Sequence, residues 1–424
     1  MKMHLAPGSK KPKLNIQSHS GGHLSDIGTN YLLELHDRWL WKCHPEVWRP
    51  RTVMVGRYGY DEHQGEKFRA GKLPRDCEFT LAARDLGVAE RPALGPLMDY
   101  ILKVDAAGQG KGLLKFGRVV ELLYNVYPSV EWWRVEQFTR LVIEASIRVE
   151  RLVTEWGVEL EPDPRCVAGV IRSAYGIVER DFPAVELSRI EPMVRGWVNG
   201  EIAFEPFGLP YCVQLLAWDF ERLPDTLRTE SKRWLVEWAA DAMRAELMRQ
   251  RSYLAAKRQY EDELAASADT RTIELVFNHR GAEVQCLFVR TENTTYHAFV
   301  FSEDAAAIAV ALRRASRHVQ IVRRRHGGRT VSLQFTAALL RAKEQEKRGY
   351  PISAWQDLIA PDGPKGAEGL FYHPRIGCVL NRFPDSKPTI LLDGEIQECI
   401  VRGLADEWAE FREQFRRERE AVAV

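Results

Sequence analysis

From residue 14 to about 120, short apolar runs alternate with segments whose apolar residues recur at helical spacing. "LNIQS" reads as a strand entering a glycine turn, and "DIGTNYLLELHDRWLWK" as a helix with Ile27, Tyr31, Leu32 and Leu35 on one face. "RTVMVG" reads as a short buried strand stopping at Gly56. "FTLAARDLG" and "LGPLMDYILKVDAAGQG" read as helices, each running into glycine. Such alternation predicts a doubly wound, mainly parallel α/β sheet over 14–128. Residues 129–265 read as a helical connecting region with an insertion. Its strongest element is "EWWRVEQFTRLVIEASIRVERLVTEWG", with Phe138, Leu141, Val142, Ala145 and Val149 in register, and a second long helix covers about 231–265.

Strands return in a smaller, mixed-sheet α/β domain over 266–403. "TIELVFN", "AEVQCLFVR", "YHAFVFS", "VQIVRRR" and "TVSLQF" read as strands, and "SEDAAAIAVALRRAS" reads as a helix. A charged terminal helix occupies 404–424.

Composition narrows the function classes only a little. The chain has 424 residues and a formal net charge of +1, so overall charge selects neither nucleic acid nor membrane. No apolar run approaches eighteen residues, so no membrane partner is expected. The N-terminal stretch lacks the apolar core of a signal peptide. The seven cysteines contain no CxxC pair. Both features fit reduced thiols and a cytoplasmic location.

Candidate chemistry gathers in four segments of the first domain: "SHSGGHLSD", "VMVG", "YGYDEHQG" and "YILKVDAAGQG". Ligands of open α/β sheets collect at the C-terminal ends of strands, so these segments are expected to converge. In order and spacing they resemble the motifs of the DHH phosphoesterase superfamily, most of all the melanocyte-proliferating-gene-type exonucleases and their small bacterial relatives. Those proteins carry H-x-G-G-H-x-D-D, V-D-V-G, Y-D-H-H-Q and D-A-x-D-N-G. Weaker likeness continues through "ADAMRAELMRQRSYLAAKRQYEDE" and "GLFYHPRIGCVL", so the resemblance spans 14–125 and about 233–403.

The resemblance implies metal-dependent hydrolysis of phosphodiester bonds in single-stranded nucleic acid or small nucleotides, with Mn²⁺ or Mg²⁺ generating the nucleophile. By it, His19 and His23 bind a first ion and Asp105 a second. His63 faces the substrate phosphate, and Asp61 orients its neighbours. Three positions depart from the pattern. Ser25 and Met54 stand where the family has aspartates, and Glu62 where it has a histidine. A thioether cannot replace a bridging carboxylate for a hard ion.

Three readings therefore stay open. In the first, a rearranged set of His19, His23, Asp26, Glu62 and Asp105 holds one ion. In the second, the site holds none, and the chain is an inactive nucleic-acid- or nucleotide-binding subunit, with a protein partner or further copies of itself. In the third, "SHSGGHLSD" is an ordinary polar loop.

A further signal is the run Arg313–Arg329, with seven arginines and no acid. Guanidinium forks suit phosphate. Arg313, Arg314, Arg323, Arg324, Arg325 and Arg329 are thus candidate substrate contacts, joined by His373 if the family likeness holds there. A solvated face is the competing reading of the run.

Overall fold

The computed structural model describes residues 14–17, 23–43, 51–54, 76–105, 112–158, 163–221, 225–265, 272–324, 331–373, 377–381 and 387–421. The fold is mixed α/β, and the chain divides into two compact units, Met1–Gln250 and Arg251–Val424.

In the first unit, β1 (Leu14–Gln17) and β2 (Arg51–Met54) pair in parallel, with Gln17 opposite Met54. The helix α1 (Leu24–Cys43) connects them. Then come α2 (Glu78–Asp85), α3 (Gly95–Asp105), α4 (Phe116–Val126) and α5 (Trp133–Trp156). The helices α6 (Pro164–Val178), α7 (Ala184–Leu187), α8 (Glu191–Asn199), α9 (Leu209–Phe220) and α10 (Asp225–Ala265) follow. The turn chemistry is visible in the sequence. The α5 helix ends at Gly157 with φ +61°, and α6 starts at Pro164 behind Asp163, whose carboxylate accepts from the backbone N–H groups of Arg165 and Cys166. One apolar core runs from Leu24 through Phe79, Ile101, Val142 and Leu216 to Leu247. The helical stretch therefore shares its interior with the segments that precede it.

Two glycines let helices approach closely. A Cβ on Gly28 would lie 2.7 Å from the fully buried ring of Phe79, and one on Gly117 the same distance from Val104. The backbone N–H of Gly117 also donates to the Tyr100 hydroxyl at 2.9 Å. Because the Phe79 ring has no room to retreat, Gly28→Ala should cost about 1–3 kcal/mol. A denaturant titration in which this variant matches the wild-type midpoint would show that α1 and α2 are not so tightly packed.

The second unit carries β3 (Thr272–His279), β4 (Ala282–Arg290), α11 (Tyr296–Glu303), β5 (Ala307–Arg313) and β6 (Val319–Arg323). It continues with α12 (Gln334–Lys347), α13 (Trp355–Ile359), β7 (Leu370–His373), β8 (Cys378–Asn381), α14 (Asp393–Leu404) and α15 (Ala409–Ala421). Among the described residues its sheet has the order β3-β4-β5-β6-β8-β7, and only β4 and β5 run parallel. Apolar residues cover both faces. Tyr296, Phe299 and Ala256 lie on one side, and Leu333, Leu340, Ile396 and Ile400 on the other.

Three elements differ from the sequence pattern. "YHAFVFS" is α11, because Tyr296, Phe299 and Val300, at i, i+3 and i+4, all turn onto the sheet. The alanine-rich "AIAVALR", expected to be helical, is β5. All seven of its residues are buried, as in a central strand covered on both faces, where alternation vanishes. In "TVSLQF", Gln334 and Phe335 open α12 instead of closing a strand.

Charged pairs tie α12 to α14: Lys347 to Glu395 at 2.8 Å and Lys343 to Glu398 at 3.0 Å. The lysine hydrogen bonds are the main cause holding both carboxyls below the usual glutamate range. A depressed folded value means stabilisation that is present above the unfolded glutamate value and is lost as pH falls through the folded one. Both pairs are solvated, so each contributes less than about 1 kcal/mol. Lys343→Met with Lys347→Met should therefore flatten the acid limb of the unfolding midpoint measured between neutral pH and pH 3, leaving the neutral value little changed.

Candidate carboxylate site

Asp26 sits in the first turn of α1, where a carboxylate is favoured by the helix dipole and by the N-terminal amides. It accepts from the backbone N–H of His23 at 2.8 Å, the N3-to-cap half of a capping box. This local bond holds Asp26 at 1 % exposure, with Ser25 beside it at 2 %. His23 itself is exposed at the helix start.

The start of α2 supplies Glu78. Cys77 caps that helix through a reciprocal pair with Thr80: its N–H donates to the threonine hydroxyl at 3.0 Å, and that hydroxyl donates back to the Cys77 carbonyl at 2.9 Å. Phe79 anchors the same turn in the core, so Glu78 is buried as well, at 6 % exposure. Its carboxyl lies beside Asp26 and Ser25, and it feels the charges of Asp26 and Asp105. Asp105, at the end of α3, is half-buried and also acts on the Cys77 thiol, which burial pushes up to about 12. Tyr124 of α4 lies in the field of Asp26 and has its ionisation raised, chiefly by burial. Trp132 holds Tyr124 edge-on at 5.3 Å, so this tryptophan has a packing role, while Trp133 is exposed.

Burial first, then the neighbouring charges of Asp26 and Asp105, raise the Glu78 pKa well above the ordinary glutamate value. The Glu78 Oε2 atom is buried without a hydrogen-bond partner. An oxygen-only donor set of this kind suits a hard divalent cation. Yet among the described residues no group of three or more His, Cys, Asp or Glu side chains has the spacing to hold a metal. As described, the arrangement is a buried glutamate beside the Asp26 carboxylate, with the charge of Asp105 acting on it.

Of the residues expected from sequence, Asp26 and Asp105 thus come into one electrostatic neighbourhood, with His23 at its edge. His19, Asp61, Glu62 and His63 lie outside the described residues, as do Arg325 and Arg329. Met54 ends β2, in register with the end of β1. Glu78 was not anticipated from sequence. Its one signal is an acid set between Cys77 and Phe79 in an otherwise apolar helix start.

The arginines of the second unit are distributed differently from a single cluster. Arg313 is 5 % exposed; it pairs with Asp393 at 3.0 Å and donates to the Leu391 carbonyl at 2.9 Å. Arg323 donates to the Val331 carbonyl at 2.9 Å. Arg324 donates to the carbonyls of Ala307 and Asp304 and stacks over Phe301. Arg314 is half-buried in the β5–β6 turn, and His373 is half-buried on β7, edge-on to Phe371. Most of these guanidinium groups thus fasten backbone within the fold.

No helix among the described residues is long and apolar enough to cross a membrane. No protein-family model matches the chain, and neither a curated protein nor a solved structure matches it.

Proposed function

We propose that the first unit is a DHH-type phosphoesterase domain that binds one Mn²⁺ or Mg²⁺ ion through Asp26 and Asp105 together with His19, His23 and Glu62, beside the buried Glu78, and acts on phosphodiester bonds of single-stranded nucleic acid or small nucleotides. The observation that carries this reading is the convergence of Asp26 and Asp105, from the start of α1 and the end of α3, on a buried glutamate. Burying two carboxylates beside a third, half-buried one is costly unless protons or a cation balance them. In this reading the cation displaces the proton that keeps Glu78 neutral beside Asp26, and when bound it would activate water and neutralise phosphoryl charge. His19, Asp61, Glu62 and His63 enter through the motif resemblance alone.

A second reading is favoured by Met54 at the strand end where the resemblance places a bridging aspartate. On it, the chain is an inactive nucleic-acid- or nucleotide-binding subunit. Incubating the purified chain with a labelled oligonucleotide and a dinucleotide in Mn²⁺ separates the two. Cleavage abolished by EDTA supports the enzyme, whereas an intact substrate alongside measurable binding supports the binding subunit.

A further inference from the structure

The two edges of the second unit's sheet are finished differently. At one edge β7 is four residues long, and its backbone is engaged away from the sheet: the Tyr372 N–H donates to the Pro361 carbonyl at 2.9 Å, and the Leu370 carbonyl accepts from Arg341. At the other edge β3 is eight residues long, with no lysine, proline or bulge, the devices that ordinarily keep an edge strand from pairing. Among the described residues nothing hydrogen-bonds to its outer side. It also carries the two exposed large apolar side chains described on this sheet, Ile273 at 42 % and Val276 at 55 %.

The hairpin decides which backbone groups face outward. Arg280 and Gly281, with φ +54° and +71°, make a two-residue turn, so His279 and Ala282 exchange hydrogen bonds across it. Bonded and non-bonded pairs alternate along an antiparallel ladder. Phe277, Leu275 and Ile273 are therefore bonded to β4, while the N–H and C=O groups of Asn278, Val276 and Glu274 point away from the sheet. The side chains of these last three residues lie on one face, and all are exposed.

We propose that β3 pairs antiparallel with β3 of a second copy of this chain about a two-fold axis at Val276, joining the two six-stranded sheets into one. Outward groups must meet outward groups, which leaves few registers. An axis on Glu274 sets two carboxylates opposite each other, and one on Leu275 sets Glu274 against an apolar Val276. Axes on Phe277 or Asn278 run each strand into the other's turn. The axis on Val276 brings the two exposed valines together, sets Leu275 against the copy's Phe277, and gives each Glu274 carboxylate an amide neighbour in the copy's Asn278. The assignment rests on neither reading of the first unit.

The test is sedimentation equilibrium of the full chain over a range of protein concentrations, where a reversible species of twice the chain mass is expected. Val276→Lys, which puts two ammonium groups on the axis in place of two valines, should weaken the dimer about tenfold or more. Asn278→Glu, which faces each Glu274 with a second carboxylate, should weaken it about threefold, and Asn278→Lys should strengthen it by a similar factor. Both positions are exposed and their backbone groups bond away from β4, so far-ultraviolet circular dichroism of the three variants should match the wild type, which separates lost pairing from lost folding. A chain that stays monomeric at every concentration, or a dimer that Val276→Lys leaves as tight as before, would overturn the pairing. A dimer weakened by Val276→Lys that responds alike to Asn278→Glu and Asn278→Lys would overturn the register.

Discussion

Arg341→Ala should lower the stability of the second unit by about 4 kcal/mol or more, among the largest effects of any single substitution. Arg341 is fully buried in α12. It donates to the carbonyls of Leu370 (2.9 and 2.7 Å), Leu358 (2.7 Å), Ala360 (2.5 Å) and Pro361 (2.9 Å). All five of its N–H groups are thus used on four carbonyls, at the end of α13 and the start of β7. Burial is the main cause that lowers its pKa to about 10, partly offset by the charge of Asp362. Removing the side chain opens a cavity and strands acceptors that each cost about 1–3 kcal/mol when left unsatisfied. Arg341→Met restores much of the volume but no donor, so it should recover little. Arg341→Lys, with three donors, should fall between. Urea unfolding followed at Trp355, which packs in the same core, reads the difference. An alanine variant within 1 kcal/mol of wild type would show that water satisfies these carbonyls equally well.

Glu78→Gln should have opposite effects with and without a cation. In EDTA the amide keeps the size and polarity of the acid beside Asp26 and Ser25, but it cannot ionise. A raised folded pKa means that Glu78 supports folding best at and below its unfolded value and increasingly less as pH rises towards the folded one. The variant should therefore melt at or above the wild-type temperature at neutral pH, and its advantage should shrink in acid. With Mn²⁺ the order reverses. At a hundredfold excess over Kd the wild type gains about 2.7 kcal/mol from binding, and Glu78→Gln gains little. Equal thermal shifts for the two proteins in Mn²⁺ would remove Glu78 from any cation site.

How much of this was legible in sequence differs by region. Helices with a clear apolar stripe, such as α1 and α5, could be read because burial of one face and glycine or proline punctuation act locally, although on α1 Leu33 is buried and Leu35, expected on the covered face, is exposed. The β5 strand and α11 could not. Which face of Ala307–Arg313 is covered depends on helices distant in the chain, and two-sided burial erases the period of a strand. At the carboxylate site, Asp26 and Asp105 stood out as acids at motif positions. Glu78 did not, since only packing of Phe79 against Gly28 brings the start of α2 under α1. Arg341 looks like part of the charged end of α12 and is instead that helix's most buried large side chain. Arg313 stood out as a candidate for phosphate, and its burial against Asp393 could be known only from the fold.

On the proposed reading, a bound cation displaces the proton that keeps Glu78 neutral beside Asp26. Calorimetric titration of the purified chain with MnCl₂, repeated in two buffers of different ionisation enthalpy, counts protons as well as ions. Saturable binding that releases a proton for each ion bound and disappears in Glu78→Gln is expected. Absence of binding heat, or binding without proton release that survives the substitution, would contradict it.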